Sequence, residues 1–124
     1  MIEHPSDSFR LAADSLRSND PDRYAATLVL SPKNRAAVQS IYAFSAEVAA
    51  IAGRVKEPSV GEIRLQWWID ALEGREHGNV RQNPVADALL TTVSDHNLPI
   101  GPLLNLLAAR RFDLYSDSMS DIGQ

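Results

Sequence analysis

Apolar positions recur along this chain at helical spacing. From Pro32 to about Arg54, the residues Ala37, Ile41, Phe44, Val48, Ile51 and Val55 follow one another in alternating steps of four and three, which holds them on one side of an α-helix. Beside that line run Ala36, Ala43, Ala46, Ala49, Ala50 and Gly53, small enough for a neighbouring helix to approach closely or for a cavity to open. The stretch from Ser59 to Gly74 behaves differently. Glu62, Gln66, Asp70 and Glu73 share a narrow polar strip, and Ile63, Leu65, Trp67, Trp68, Ile69, Ala71 and Leu72 fill the remaining arc. So wide an arc predicts a helix buried on most sides. Arg64 lies inside it, between Trp68 and Ala71, so its guanidinium is expected to enter the interior and to need an anion there. Asp113 and Glu47 are the candidates within the chain; Asp70, on the opposite strip of the same helix, is the weakest.

Helix starts are marked by a capping residue followed by proline. Asp20-Pro21, Ser31-Pro32 and Asn83-Pro84 each offer an N-cap and a proline suited to the first turn, and Ser59 with Glu62 has the spacing of a capping box. Ser6 is expected to cap a first helix running to about Arg17, with a turn at Ser18-Asn19-Asp20 and a short second helix from Asp22 to Leu30. Gly74 to Gln82 reads as a polar link. A fifth helix runs from Pro84 to about His96, with Val85, Ala88, Leu89, Thr92 and Val93 inward and Asn97 as a left-handed cap. A sixth begins near Pro99 or Pro102 and aligns Leu103, Leu107 and Leu114. With no strand alternation and no internal repeat, the prediction is an all-α chain of about five or six helices. Phe44, Val48, Ile51, Leu65, Trp68, Leu72, Leu89 and Leu107 are expected among its most buried residues.

Arg110 and Arg111 fall within or beside the apolar arc of the sixth helix, as Arg64 does in the fourth. A structural reading pairs one of them with Asp113, Asp70 or Glu47. A functional reading has Arg64 and Arg111 converge at the rim of an apolar pocket and hold an anionic headgroup.

Composition narrows the classes. At 124 residues the chain has room for one core, and its formal charge of −4 gives no basic footprint for nucleic acid. The absence of cysteine excludes disulfides and thiolate metal sites, and the three histidines share no ligand spacing, so no metal ligand set is expected. The first residues lack a basic segment followed by an apolar run, and no apolar stretch is expected to reach the roughly 20 residues of a membrane span. The expectation is a soluble cytoplasmic protein.

The run Tyr24-Ala-Ala-Thr-Leu-Val-Leu-Ser-Pro, then Tyr42-Ala43-Phe44, Trp68, Pro84-Val85 and Arg111-Phe112-Asp113-Leu114, resembles the N-terminal part of squalene and phytoene synthases, from about Pro21 to Tyr115. The resemblance implies an all-α isoprenoid-synthase bundle with a central apolar cavity, whose active members join two prenyl diphosphates head to head with magnesium. Asp113 matches an acidic position lining the family pocket, and together with the functional reading of the two arginines the candidate substrate-binding residues are Tyr42, Arg64, Arg111 and Asp113. The chain departs from the active pattern at one pole. An arginine and an aspartate-rich motif follow the Tyr-Ala-Phe segment in active members, since hard Mg²⁺ takes carboxylate oxygens. Here the arginine position is Ala46 and the acid positions are Ala49 and Gly53. A second aspartate-rich motif would lie beyond Gln124. With Glu47, Arg64, Gln66 and Trp68 retained, the pattern is similar to the divergent branch that includes the mitochondrial complex I assembly factor of this family.

Residues 1–124 are therefore expected to form a single helical domain, incomplete at its C-terminus and associating with itself. Three functions stay open. One is a catalytically silent family member, a pseudoenzyme, that binds a prenyl or lipid-like ligand or acts in assembly, with no cofactor. Another is an active prenyl transferase using Mg²⁺. The third is a helical interaction module without a ligand.

Overall fold

A computed structural model describes residues 5–54, 57–75 and 78–123 of the chain. Among the described residues it is all-α, with six helices and no strand. The helices are α1 (Pro5–Asn19), α2 (Pro21–Thr27), α3 (Pro32–Arg54), α4 (Pro58–Glu73), α5 (Pro84–Asp95) and α6 (Gly101–Gly123), with a 3-10 turn at Val80–Gln82 before α5.

Local chemistry sets most of the boundaries. Asp20 accepts from the Arg23 amide at 3.2 Å, Asn83 accepts from Val85 and Ala86 at 3.0 and 3.1 Å, and each stands just before a first-turn proline. Gly74 closes α4 in the left-handed region at φ 76°, and Asn97 follows α5 at φ 52°. Some expected starts and ends are displaced. α1 already includes Ser6. α4 starts one residue before Ser59, with Glu57 extended and giving no side-chain cap. Pro58 explains this, because its fixed φ suits the first turn and its ring pushes the preceding residue out of the helical region. α2 stops at Thr27 instead of Leu30. Arg35 donates to the carbonyls of Leu28 and Leu30, and Thr27 donates to the Tyr24 carbonyl, so that turn is satisfied without further helix.

The chain divides into two compact units, Met1–Glu47 with His77–Pro99, and Val48–Glu76 with Ile100–Gln124. In the first, α1 packs on α5 and α2, and α5 packs on the 3-10 turn. Ala12, Leu16, Phe44, Val85 and Leu89 are buried there. Buried polar bonds cross-link its helices. Ser8 donates to Asp87 at 2.5 Å, Ser40 and Thr92 share a hydroxyl bond at 2.8 Å, and Gln39 donates to Thr27 at 3.0 Å. In the second unit α4 packs on α6, and Leu65, Trp68, Leu72, Leu107 and Leu114 are buried. Of the residues expected in the core, only Ile51 is half-buried instead of buried.

One expectation about membranes needs correction. The Pro32–Gly53 part of α3 is long and apolar enough, by length and composition, to cross a bilayer. A third of it is buried in the protein, including Gln39, Ser40, Ala43, Phe44 and Val48, and the two polar residues of that line, Gln39 and Ser40, are hydrogen-bonded to neighbouring helices.

Candidate functional site

The α4–α6 pair carries three of the four residues singled out from sequence: Arg64, Arg111 and Asp113. Arg111, half-buried on α6, donates to the Gln66 side-chain oxygen at 3.0 Å, and its Nε lies 3.4 Å from a Glu62 oxygen. Tyr115, one turn further on, donates its hydroxyl to the other Glu62 oxygen at 2.6 Å. That bond, followed by desolvation and the Glu62 charge, raises the Tyr115 pKa above the ordinary tyrosine value, because the accepting carboxylate favours the protonated phenol. Gln66 in turn donates to Asp70 at 2.9 Å. The polar strip of α4 is thus engaged by α6. Arg110 pairs with Asp113 at 3.1 Å, one helical turn apart, as the structural reading allowed.

Arg64 is where the structure departs from the burial expected of it. It is exposed and makes no hydrogen bond or ion pair among the described residues. Its angular position is the expected one, since Trp68 and Ala71 on either side of its direction are buried. What fails is coverage along the axis. Val60 and Ile63, at the same end of α4, are 43% and 72% exposed, so no described element covers the first turns on that side. Gln66 and Glu62, which hold Arg111, lie about 160–200° around the helix from Arg64, at 100° per residue. The structure therefore brings Arg111 to Glu62 and Gln66, and Asp113 to Arg110, without bringing Arg64 to either.

Tyr42 belongs to the first unit. Arg23 of α2 sits over its ring, 5.0 Å from the centroid. Further along α3, Glu47 is the one acidic side chain in that helix, and burial raises its pKa above the usual carboxylate value. The nearby positions 46, 49 and 53 are Ala, Ala and Gly and present no side-chain oxygen, so this pole does not fit a magnesium-diphosphate site built on an aspartate-rich motif. Among the described residues no three histidine, aspartate or glutamate side chains gather to hold a metal.

Sequence reasoning missed a polar cluster in the first unit. Asp87 of α5, nearly buried, accepts from Ser8 at 2.5 Å and from Arg81 at 2.7 Å, and Arg81 also reaches Thr91 at 3.2 Å. Arg81 comes from the stretch that reads as a polar link. The only sequence signal is the i, i+6 spacing of Arg81 and Asp87 across the Asn83-Pro84 cap; the Ser8 contact is purely tertiary.

Comparison with known proteins gives these helices an ancestry. The family model for squalene/phytoene synthase matches residues 16–124. Among similar curated proteins is the human NADH dehydrogenase (ubiquinone) complex I, assembly factor 6, 31% identical over 99 residues, which are 80% of this chain and 30% of that protein. The bovine protein of the same name is 30% identical over 105 residues, 85% of this chain and 32% of its own. A Drosophila melanogaster homologue is 30% identical over 97 residues, 73% of this chain and 29% of its own. The chain thus spans less than a third of the length of these relatives. No solved structure matches it. The buried α4 and α6 lines, the Tyr42-Ala43-Phe44 segment of α3 and the match over residues 16–124 agree: this chain belongs to the squalene/phytoene synthase family.

Proposed function

We propose that this chain belongs to a catalytically silent branch of its family and serves as an assembly factor for a respiratory NADH dehydrogenase. The observation that carries the reading is the α3 pole, where Ala46, Ala49 and Gly53 offer no carboxylate to magnesium and Glu47 is the sole acid of the helix. A prenyl transferase needs several hard oxygen donors at that place to neutralise diphosphate, and one partly buried carboxylate does not supply them. The relatives named for complex I assembly support the choice of process. Arg111 and Asp113 already have partners within the chain, and Arg64 stands apart from both, which favours a protein-binding role over a diphosphate cradle.

The test is genetic and biochemical. Disrupting the parent gene should lower the amount of fully assembled NADH dehydrogenase on native gels, with other respiratory complexes unchanged, and re-expression should restore it. Normal assembly in the disrupted strain would overturn the reading. Incubation of the purified chain with farnesyl or geranylgeranyl diphosphate and Mg²⁺ should give no squalene- or phytoene-like product; turnover would move the assignment to the transferase.

A further inference from the structure

We draw no further inference here: the strongest candidate, the surface patch on the first turns of α4 formed by Val60, Ile63 and Trp67 around an Arg64 that has no partner among the described residues, carries nothing because nothing in the structure shows what covers it.

Discussion

In the first unit, Ser8 and Asp87, Ser40 and Thr92, and Gln39 and Thr27 meet out of water; in the second, the side chains of Arg111, Glu62, Tyr115, Arg110 and Asp113 stay about a third or more exposed, although the Arg110 and Arg111 Nε atoms are buried. The contrast matters because burial changes what a polar group demands. A buried donor or acceptor that loses its partner bears the whole desolvation cost, so such a bond selects one arrangement of helices. An exposed ion pair is screened, and water replaces either member cheaply. Both units have an apolar core, but buried polar pairs add to the packing of the first, whereas the second relies on apolar shape at Leu65, Trp68, Leu72, Leu107 and Leu114.

The largest expected effect breaks the first unit at Asp87. Asp87→Ala leaves the Ser8 hydroxyl buried without an acceptor and frees an Arg81 whose side chain is 50% exposed. We expect a loss of about 2–3 kcal/mol, below the full cost of orphaning a buried ion pair because Arg81 can turn to water. Urea unfolding followed by circular dichroism measures it. Both tryptophans lie in the second unit, so their fluorescence sharpens the comparison: the dichroism midpoint should fall further than the fluorescence midpoint. A loss below about 0.5 kcal/mol would show that this cluster does not hold α1 to α5.

Next in size is the hydroxyl pair of α3 and α5. Ser40→Ala alone should cost about 1–2 kcal/mol, since Thr92 is left buried with one partner fewer. In a double-mutant cycle with Thr92→Val, the coupling should be about 1 kcal/mol. Ser40 also donates to the Ala37 carbonyl at 2.7 Å, so strict additivity would mean that Thr92 finds another partner as well.

The matching change in the second unit should be much smaller. Glu62→Gln removes the charge facing Arg111 while keeping an acceptor for Tyr115, and the pair is more than a third exposed on both sides. A loss of about 0.5 kcal/mol is expected, shrinking further in 1 M salt. A cost above about 2 kcal/mol, independent of salt, would place this network with the buried kind and erase the contrast.

Glu47 tests burial through pH. Its pKa is raised in the folded protein by desolvation, so folding is opposed where the carboxylate is charged, above the folded pKa, and the penalty vanishes below the unfolded value of 4.5. Glu47→Gln should therefore raise the melting temperature at pH 7 and lose that advantage as pH falls toward 4. A gain that is the same at both pH values would mean that something other than charge burial is at work.

How much of this was legible in the sequence follows the range of the interactions. Asp20-Pro21, Asn83-Pro84, Gly74 and Asn97 mark helix ends because capping involves neighbours within a few residues, and the α3 line is readable because periodicity is local. Arg110 with Asp113 is readable for the same reason. Asp87 was not, because an aspartate in a helix ordinarily faces water and its burial depends on Ser8, 79 residues away. The Glu62–Arg111 contact is likewise a matter of how α4 and α6 face each other. Ile63 lies in the apolar arc yet is 72% exposed, since periodicity gives direction around a helix and says nothing about where along it the neighbours stop.

Arg64 draws the comparison to its finest point, because it shares the second unit's apolar arc without sharing its burial. An arginine buried there without a partner would cost several kcal/mol, and its removal would change stability strongly. Exposed and unpaired, it should contribute little: Arg64→Met is expected to change stability by no more than about 0.5 kcal/mol, with no dependence on salt beyond that of the wild type. The same variant also separates the two functional readings. If Arg64 bound a prenyl diphosphate, that ligand would raise the melting temperature of the wild type by binding only the folded state, and the variant would lose the shift. With Arg111 held by Glu62 and Gln66 on another side of α4, the expected result is no shift for either protein with farnesyl diphosphate at millimolar concentration. A wild-type shift that disappears in Arg64→Met would reinstate the anion site and count against the assembly reading.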